Sequence, residues 1–188
     1  AFSIATADIN GDGKLDVISA SGNGSRVAWH ENDGDQSFTD HLISTETDDR
    51  SYVAVNDVDG DGDVDVLTSS FNDHKIRWYE NQGNSGFTTH LVATMTGRAH
   101  GIYSADMDRD GDVDILAADF DQGRVDWYEN DGSQVFSTHT VGDGAAKARA
   151  VFAADVDSDG DMDVLVGSEE GPKLVWYEND GNQSFTAH

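Results

Sequence analysis

The 188-residue chain has no cysteine and a single proline. Without thiols there are no disulfides and no thiolate metal sites, although this leaves the compartment open. Bases are scarce as well: 11 Lys and Arg stand against 37 Asp and Glu, for a formal charge of -26. So acidic a chain repels nucleic acid phosphates and anionic membrane surfaces, and neither is an expected partner. Apolar runs of the ~18 residues needed to cross a membrane as a helix are also missing, so membrane insertion is not expected. High negative charge with few apolar residues would signify disorder. Here 37% of residues are hydrophobic and 9% aromatic, and both recur at fixed places. The acids are placed, and placed carboxylates attract cations.

Self-similarity organises everything else. The first Asp of an acidic loop falls at Asp8, Asp57, Asp106 and Asp155, a constant step of 49. Trp29, Trp78, Trp127 and Trp176 keep that step. So do Phe38, Phe87, Phe136 and Phe185, and likewise His41, His90, His139 and His188. Each period reads as four strands. The first covers 4–9, with copies at 53–58, 102–107 and 151–156, and its small neighbours (Ala5, Ala7, Ala54, Ala105, Ala154) suit a crowded axis. The second, 15–20 and its copies, is almost continuously apolar, as for a strand buried on both faces. The third carries the Trp and ends in Asn-Asp-Gly or Asn-Gln-Gly, a hairpin signal; the fourth runs over 37–43 and its equivalents.

Four short antiparallel strands every ~40–50 residues is the period of a propeller blade. A calcium β-roll would repeat every nine or so residues, and a β-sandwich would not be so strictly self-similar. The predicted fold is an all-β propeller array in one domain. Its blades fall at 1–49, 50–98, 99–147 and 148–188, as a closed four-blade ring or an arc of a larger one.

The acidic loops follow the pattern D-x-[DN]-x-D-G-x-x-D. Calcium takes about 6–8 hard oxygen ligands. Side-chain oxygens at positions 1, 3, 5 and 9, with the carbonyl of position 7, can surround one ion. The first site then comprises Asp8, Asn10, Asp12, Asp16 and the Lys14 carbonyl. The second comprises Asp57, Asp59, Asp61, Asp65 and the Asp63 carbonyl. The third uses Asp106, Asp108, Asp110, Asp114 and the Asp112 carbonyl, and the fourth Asp155, Asp157, Asp159, Asp163 and the Asp161 carbonyl. Glycine at position 6 (Gly13, Gly62, Gly111, Gly160) permits the sharp turn. Carboxylates this close repel one another unless a cation joins them. An EF-hand would need Glu at position 12, where Ser19, Thr68, Ala117 and Val166 stand, and helices on either side. The bland rival is a solvated acidic turn, and four copies in one phase count against it. About one calcium per repeat, four in all, would act as a staple between the first two strands of each blade and leave no open catalytic position.

The run Ala7-Asp8-Ile9-Asn10-Gly11-Asp12-Gly13-Lys14-Leu15-Asp16-Val17-Ile18, with the Trp-Tyr-Glu-Asn-Asp-Gly of residues 127–132, resembles the FG-GAP/VCBS repeat. That resemblance covers the whole chain. It implies a calcium-bearing β-propeller, as in integrin α-subunits, fungal lectins and bacterial surface proteins. It also implies an extracellular location, secreted or at a cell surface, and recognition of proteins or glycans. Such propellers commonly close with seven or so blades, whereas four repeats stand here. The chain opens inside a repeat at Ala1 and ends at His188, eight residues short of a fourth full period, as expected of a processed or excised piece.

Antiparallel strands send successive loops to alternate ends of a blade. Calcium loops and Asn-Asp-Gly turns therefore share one end, and the loops that differ between copies share the other. The variable loops are 21–25, 70–74, 119–123 and 168–172, with the connections 45–50, 94–100 and 142–149. Repeated positions do one structural job four times, while variable ones are free to specialise. Candidate ligand contacts are thus Phe71, His74, Arg98, His100, Phe120 and Arg149. The phased Trp residues are expected in the core and the phased His on an outer strand. Asn23-Gly24-Ser25 and Asn182-Gln183-Ser184 match the glycosylation pattern weakly. No nucleophile–base pairing, phosphate loop or zinc set appears, so a non-enzymatic role is expected. The leading expectation is an adhesion or recognition module with a glycan or protein ligand. Self-assembly of copies into rings or filaments is the first alternative, and a non-catalytic appendage of a larger secreted enzyme is the second.

Overall fold

The computed structural model describes residues 1–22, 24–48, 50–83 and 86–188, and its strands form four antiparallel sheets of four. The first blade holds β1 (Ser3–Ala7), β2 (Asp16–Ala20), β3 (Val27–Asn32) and β4 (Phe38–Ser44). The second holds β5 (Ser51–Asn56), β6 (Asp65–Ser70), β7 (Lys75–Asn81) and β8 (Phe87–Thr94). The third holds β9 (Ala99–Ala105), β10 (Asp114–Asp119), β11 (Arg124–Asn130) and β12 (Phe136–Gly142). The last holds β13 (Ala148–Ala154), β14 (Asp163–Ser168), β15 (Leu174–Asn179) and β16 (Phe185–Ala187). Within every sheet the strands lie in chain order, which is the blade of a β-propeller. Asn23, with the first glycosylation pattern, and Asp49 of the 45–50 connection lie outside the described residues.

The blades belong two to each of two compact units, Ala1–Thr94 and Met95–His188. In the first unit Ile18, Ala20 and Val27 of one blade form a core with Val53, Val66 and Tyr79 of the next. In the second, Leu116, Ala118, Val125 and Trp127 do the same with Val151, Val164, Val166 and Tyr177. Alternate residues of a strand face opposite sides, so a strand covered on both sides must be apolar or small throughout. All six residues of β6 and all six of β10 are buried. Each Leu, Ile or Val so covered contributes roughly 1.5–3 kcal/mol. The repeated tryptophans join these cores unequally: Trp78 and Trp127 are 3% and 1% exposed, whereas Trp29 and Trp176 are half-buried. Their histidine partners lie on the fourth strands, β4, β8 and β12, with His188 following β16.

The turn after the third strand differs from a two-residue hairpin. Five residues, 33–37, separate β3 from β4. Asn32 Oδ1 accepts the Gly34 N–H at 3.0 Å, and Asp33 N–H donates to the Ser37 carbonyl at 3.2 Å. The asparagine side chain is occupied as a backbone mimic, which widens the turn.

Candidate functional site

Three nested hydrogen bonds curl each acidic loop. Position 1 receives the N–H of the position 6 glycine: Gly13 N–H reaches Asp8 Oδ2 at 2.8 Å, and Gly62 N–H reaches Asp57 Oδ2 at 2.9 Å. Position 3 accepts from position 5, as Asp59 Oδ1 does from Asp61 N–H at 3.2 Å. Position 5 accepts from position 7, as Asp61 Oδ1 does from Asp63 N–H at 2.8 Å. The later loops repeat the scheme, with Gly111 on Asp106 and Gly160 on Asp155 at 3.1 Å. Short Asp and Asn side chains are suited to this, because they hydrogen-bond their own backbone two residues on.

The curl gathers oxygens. Carboxylates of Asp57, Asp59 and Asp61 lie within 4.8 Å of one another, as do those of Asp106, Asp108 and Asp114, and of Asp155, Asp157 and Asp163. Asp57 Oδ1 is buried with no hydrogen-bond partner. Burial, with neighbouring carboxylates adding to it, raises the pKa of Asp59, Asp108 and Asp157. Hard oxygens in this crowding, one of them an orphan, fit a divalent cation such as calcium. The first loop differs, since Asn10 supplies no charge and Lys14 Nζ sits 2.6 Å from Asp12 Oδ2. That ion pair lowers the Asp12 pKa and raises that of Lys14.

Position 9 has a role that its spacing does not reveal. Asp16, Asp65, Asp114 and Asp163 are fully buried. In each, Oδ2 accepts the N–H of position 2, from Ile9 at 3.2 Å, Val58 at 3.0 Å, Met107 at 2.9 Å and Val156 at 2.9 Å. Oδ1 accepts the backbone N–H of Asn32, Asn81, Asn130 or Asn179 at 2.8, 2.7, 2.8 and 2.9 Å. One carboxylate thus clamps the loop to the end of the third strand. Burial pushes Asp65 up to about 6 and Asp114 up to about 7, against the pull of those amides. The indole N–H groups of Trp78 and Trp127 lower the same two pKa values, although neither makes a hydrogen bond of ordinary geometry.

The asparagines extend the clamp between blades of a unit. Asn81 Nδ2 donates to Ile9 O at 2.9 Å in the first unit, and Asn179 Nδ2 to Met107 O at 3.5 Å in the second. Each blade also carries a Trp–His–Glu set. The Trp29 and His41 rings stack with centroids 4.3 Å apart, and His41 Nε2 lies 2.8 Å from Glu31 Oε2. The set recurs with Trp78, His90 and Glu80, with Trp127, His139 and Glu129, and with Trp176, His188 and Glu178. Glu31 Oε1 accepts from Asn10 Nδ2 at 3.0 Å, which places this set beside the acidic loop. The constant phase of Trp, His and Glu was the signal for it.

Between the two blades of the first unit lies a cleft of about 450 Å³. Asn10, Trp29, His41, Asp63, Asn81 and Phe87 line it. It adjoins the acidic loops of both blades, on the repeated and not the variable end.

Residues 8–68, 57–117 and 106–166 each match the FG-GAP-like repeat. The chain belongs to this FG-GAP-like repeat family. Among solved structures it is similar to a lectin of Agrocybe aegerita, described as specifically recognising non-reducing terminal N-acetylglucosamine. That likeness has a TM-score of 0.68 at 21% identity over 98% of this chain. The Photorhabdus luminescens Tc holotoxin pore is similar at a TM-score of 0.57 and 20% identity, again over 98% of the chain. The chain spans 51% of the lectin chain and 9% of the toxin chain, and at these identities the likeness is one of fold. No curated protein matches it significantly.

The variable loops of these FG-GAP blades divide the remaining candidates. Phe71 and His74 belong to the first unit, where Phe71 is 8% exposed beneath Arg50, 5.5 Å from its ring centroid. Arg98, His100, Phe120 and Arg149 form one cluster in the second unit. Arg98 and Arg149 lie 4.7 and 5.2 Å from the Phe120 centroid, and His100 stacks on it at 5.7 Å. Phe120 and His100, candidate ligand contacts in the sequence, are buried at 7% and 3% exposure. Arg98 pairs with Asp121, and Arg149 with Glu169. Cations that stack and pair at once hold a loop in shape.

Proposed function

We propose that the four loops bind calcium, about one ion each, and that the chain is an extracellular recognition module that binds a glycan or protein without turning it over. The observation that carries this reading is the carboxylate triad in three successive loops, with the orphaned Asp57 Oδ1 in the first of them. Extracellular calcium modules bind at about 10⁻⁴–10⁻³ M, which suits a stabilising ion in a calcium-rich compartment. The cleft in the first unit offers aromatic rings beside amide and carboxylate groups, the mixture that ligand sites use. The fold it shares with a lectin supports the same reading.

Calorimetric titration of the chelated protein with calcium tests it. Four sites are expected, the first weaker than the rest because Asn10 and the Lys14–Asp12 pair reduce its charge. Lys14→Asp should strengthen that site by about tenfold. Absence of calcium heat at millimolar concentration would sink the proposal.

A second reading, self-association, has its own support. Ile4 is 66% exposed, while its repeat counterparts Val53, Ile102 and Val151 are 8%, 8% and 7% exposed. Leu174 is 63% exposed, while Val27, Ile76 and Val125 are fully buried. The first blade at Ile4 and the last at Leu174 thus expose apolar groups whose counterparts in the other blades are covered. Sedimentation at rising concentration is expected to show oligomers if copies use these faces, and a strictly monomeric particle argues against it.

A further inference from the structure

The face of the first blade turned away from the second holds three side chains that the other repeats do not share. The ladder sets Ser19 of β2 opposite Ala28 of β3, and His30 of β3 opposite Asp40 of β4. Residues two apart on a strand share a face, so His30 stands diagonal to Ser19 and directly across from Asp40. All three meet. Ser19 Oγ lies 2.9 Å from His30 Nε2, and His30 Nδ1 lies 2.6 Å from Asp40 Oδ1. Separations of 11 and 10 positions hide this nucleophile–base pairing in the sequence, and the sheet creates it.

The three positions change together along the chain. Thr68, Ala117 and Val166 stand where the first blade has Ser19. Tyr79, Tyr128 and Tyr177 replace His30, and Thr89, Thr138 and Ala187 replace Asp40. Thr68 and Tyr79 are fully buried where the second blade meets the first, whereas Ser19 and His30 are half-buried and Asp40 is exposed. Beside them Val17, His30 and Phe38 line an open, largely apolar hollow of about 270 Å³. An ionised carboxylate only accepts, so Asp40 fixes the imidazole proton on Nδ1 and leaves Nε2 to receive the Ser19 hydroxyl. The His30 ring in turn holds the Asp40 carboxyl below the usual carboxylate range.

We propose that Ser19 is a nucleophile, with His30 as its base and Asp40 positioning the ring, and that it hydrolyses activated esters of short aliphatic acids. Nucleophile, base and orienting carboxylate are each within hydrogen-bond reach of the next, which is the arrangement acyl transfer uses. Ser19 Oγ attacks the ester carbonyl carbon while its proton passes to His30 Nε2. The bond to the alcohol oxygen breaks as Nε2 returns that proton to the departing group. Water then adds to the acyl-serine, giving a proton to Nε2, and the free acid leaves with Ser19 restored. The hollow beside Val17 and Phe38 takes the acyl chain. Ser19 pairs with Ile4 on one side and Ala28 on the other, so its own N–H is held in the ladder and not offered to an oxyanion. A missing donor of that kind lowers the rate by about 10²–10³-fold. The substrate must therefore carry a good leaving group, as an aryl or enol ester does and an amide does not. This site is separate from the cleft, because Trp29 and His41 point to the opposite face of the blade from His30 and Asp40.

The test uses the whole chain in excess calcium, with two probes. Hydrolysis of 4-nitrophenyl butyrate is followed by release of 4-nitrophenolate. Diisopropyl fluorophosphate, which phosphorylates an activated serine with loss of fluoride, is located by peptide mass mapping. Saturable turnover and one phosphoryl group on Ser19 are expected, and the adduct tests the nucleophile without any variant. Ser19→Ala should abolish the adduct at that position and the saturable turnover. His30→Tyr restores the residue of the other three blades, so the melting temperature should stay within a few degrees while turnover falls at least about a hundredfold. Asp40→Asn should lower kcat by about tenfold with KM unchanged, because an exposed carboxylate orients the ring through a weak, solvated pair. Absence of either the Ser19 adduct or saturable turnover overturns the inference. Turnover that survives in Ser19→Ala, as from an imidazole acting alone, overturns it too.

Discussion

Chelation with EGTA is expected to lower the melting temperature by about 20 °C or more relative to 10 mM calcium. At a free concentration about a hundredfold above Kd, each bound ion stabilises the folded state by about 2.7 kcal/mol. Each compact unit, Ala1–Thr94 or Met95–His188, contains two acidic loops, so the contribution is about 5 kcal/mol per unit. For a domain of 60–100 residues, 1 kcal/mol corresponds to about 4–8 °C. The expected effect is large because a bound cation would relieve a standing conflict. Asp57, Asp59 and Asp61 crowd their oxygens within 4.8 Å, and burial leaves one of them without any partner. Magnesium at the same concentration should shift the transition far less, since it keeps its waters and demands near-octahedral geometry. A melting temperature indifferent to EGTA would mean that the carboxylates tolerate one another unaided.

Asp114→Ala should cost about 2–6 kcal/mol, and the loss should persist in EGTA. Its carboxylate is fully buried and accepts the backbone N–H groups of Met107 and Asn130 at 2.9 and 2.8 Å. Removing it leaves two buried donors unsatisfied, each costing about 1–3 kcal/mol. Asp114→Asn should cost less, because one oxygen still accepts while the amide nitrogen faces a like donor. Asp110 provides the contrast. It is exposed, and its Oδ1 accepts only the Asp112 N–H within its own loop. Asp110→Ala should therefore destabilise the protein in calcium and change little in chelator. Chemical denaturation of the two variants with and without EGTA separates clamp from ligand. Equal behaviour of both variants would show that position 9 acts through the metal alone.

The clamp made by the position 9 carboxylate is not legible in the sequence. In the sequence its Asp reads by phase as an ion ligand, because only the folded chain brings both oxygens onto amides of the loop start and the third-strand end. In the sequence Asn81 likewise reads as a turn former. Its Nδ2 bond to Ile9 O joins residues 72 positions apart and belongs to the neighbouring blade. Phe120 and His100 read in the sequence as candidate ligand contacts because variable loops are usually solvated. They are buried because Arg98 and Arg149 fold over them and pair with Asp121 and Glu169.

Order within a blade was determined by the sequence alone. The period of 49, the strand sequence and the curl of each acidic loop depend on hydrogen bonds and side-chain alternation spanning a few residues, so they repeat wherever the residues repeat. What meets across two blades was decided by tertiary structure. Arg109 pairs with Asp161 of the next blade, whereas Gly11, at the same loop position, has no side chain to reach across. A cleft is empty space between two surfaces, and its shape depends on which side chains packing brings face to face.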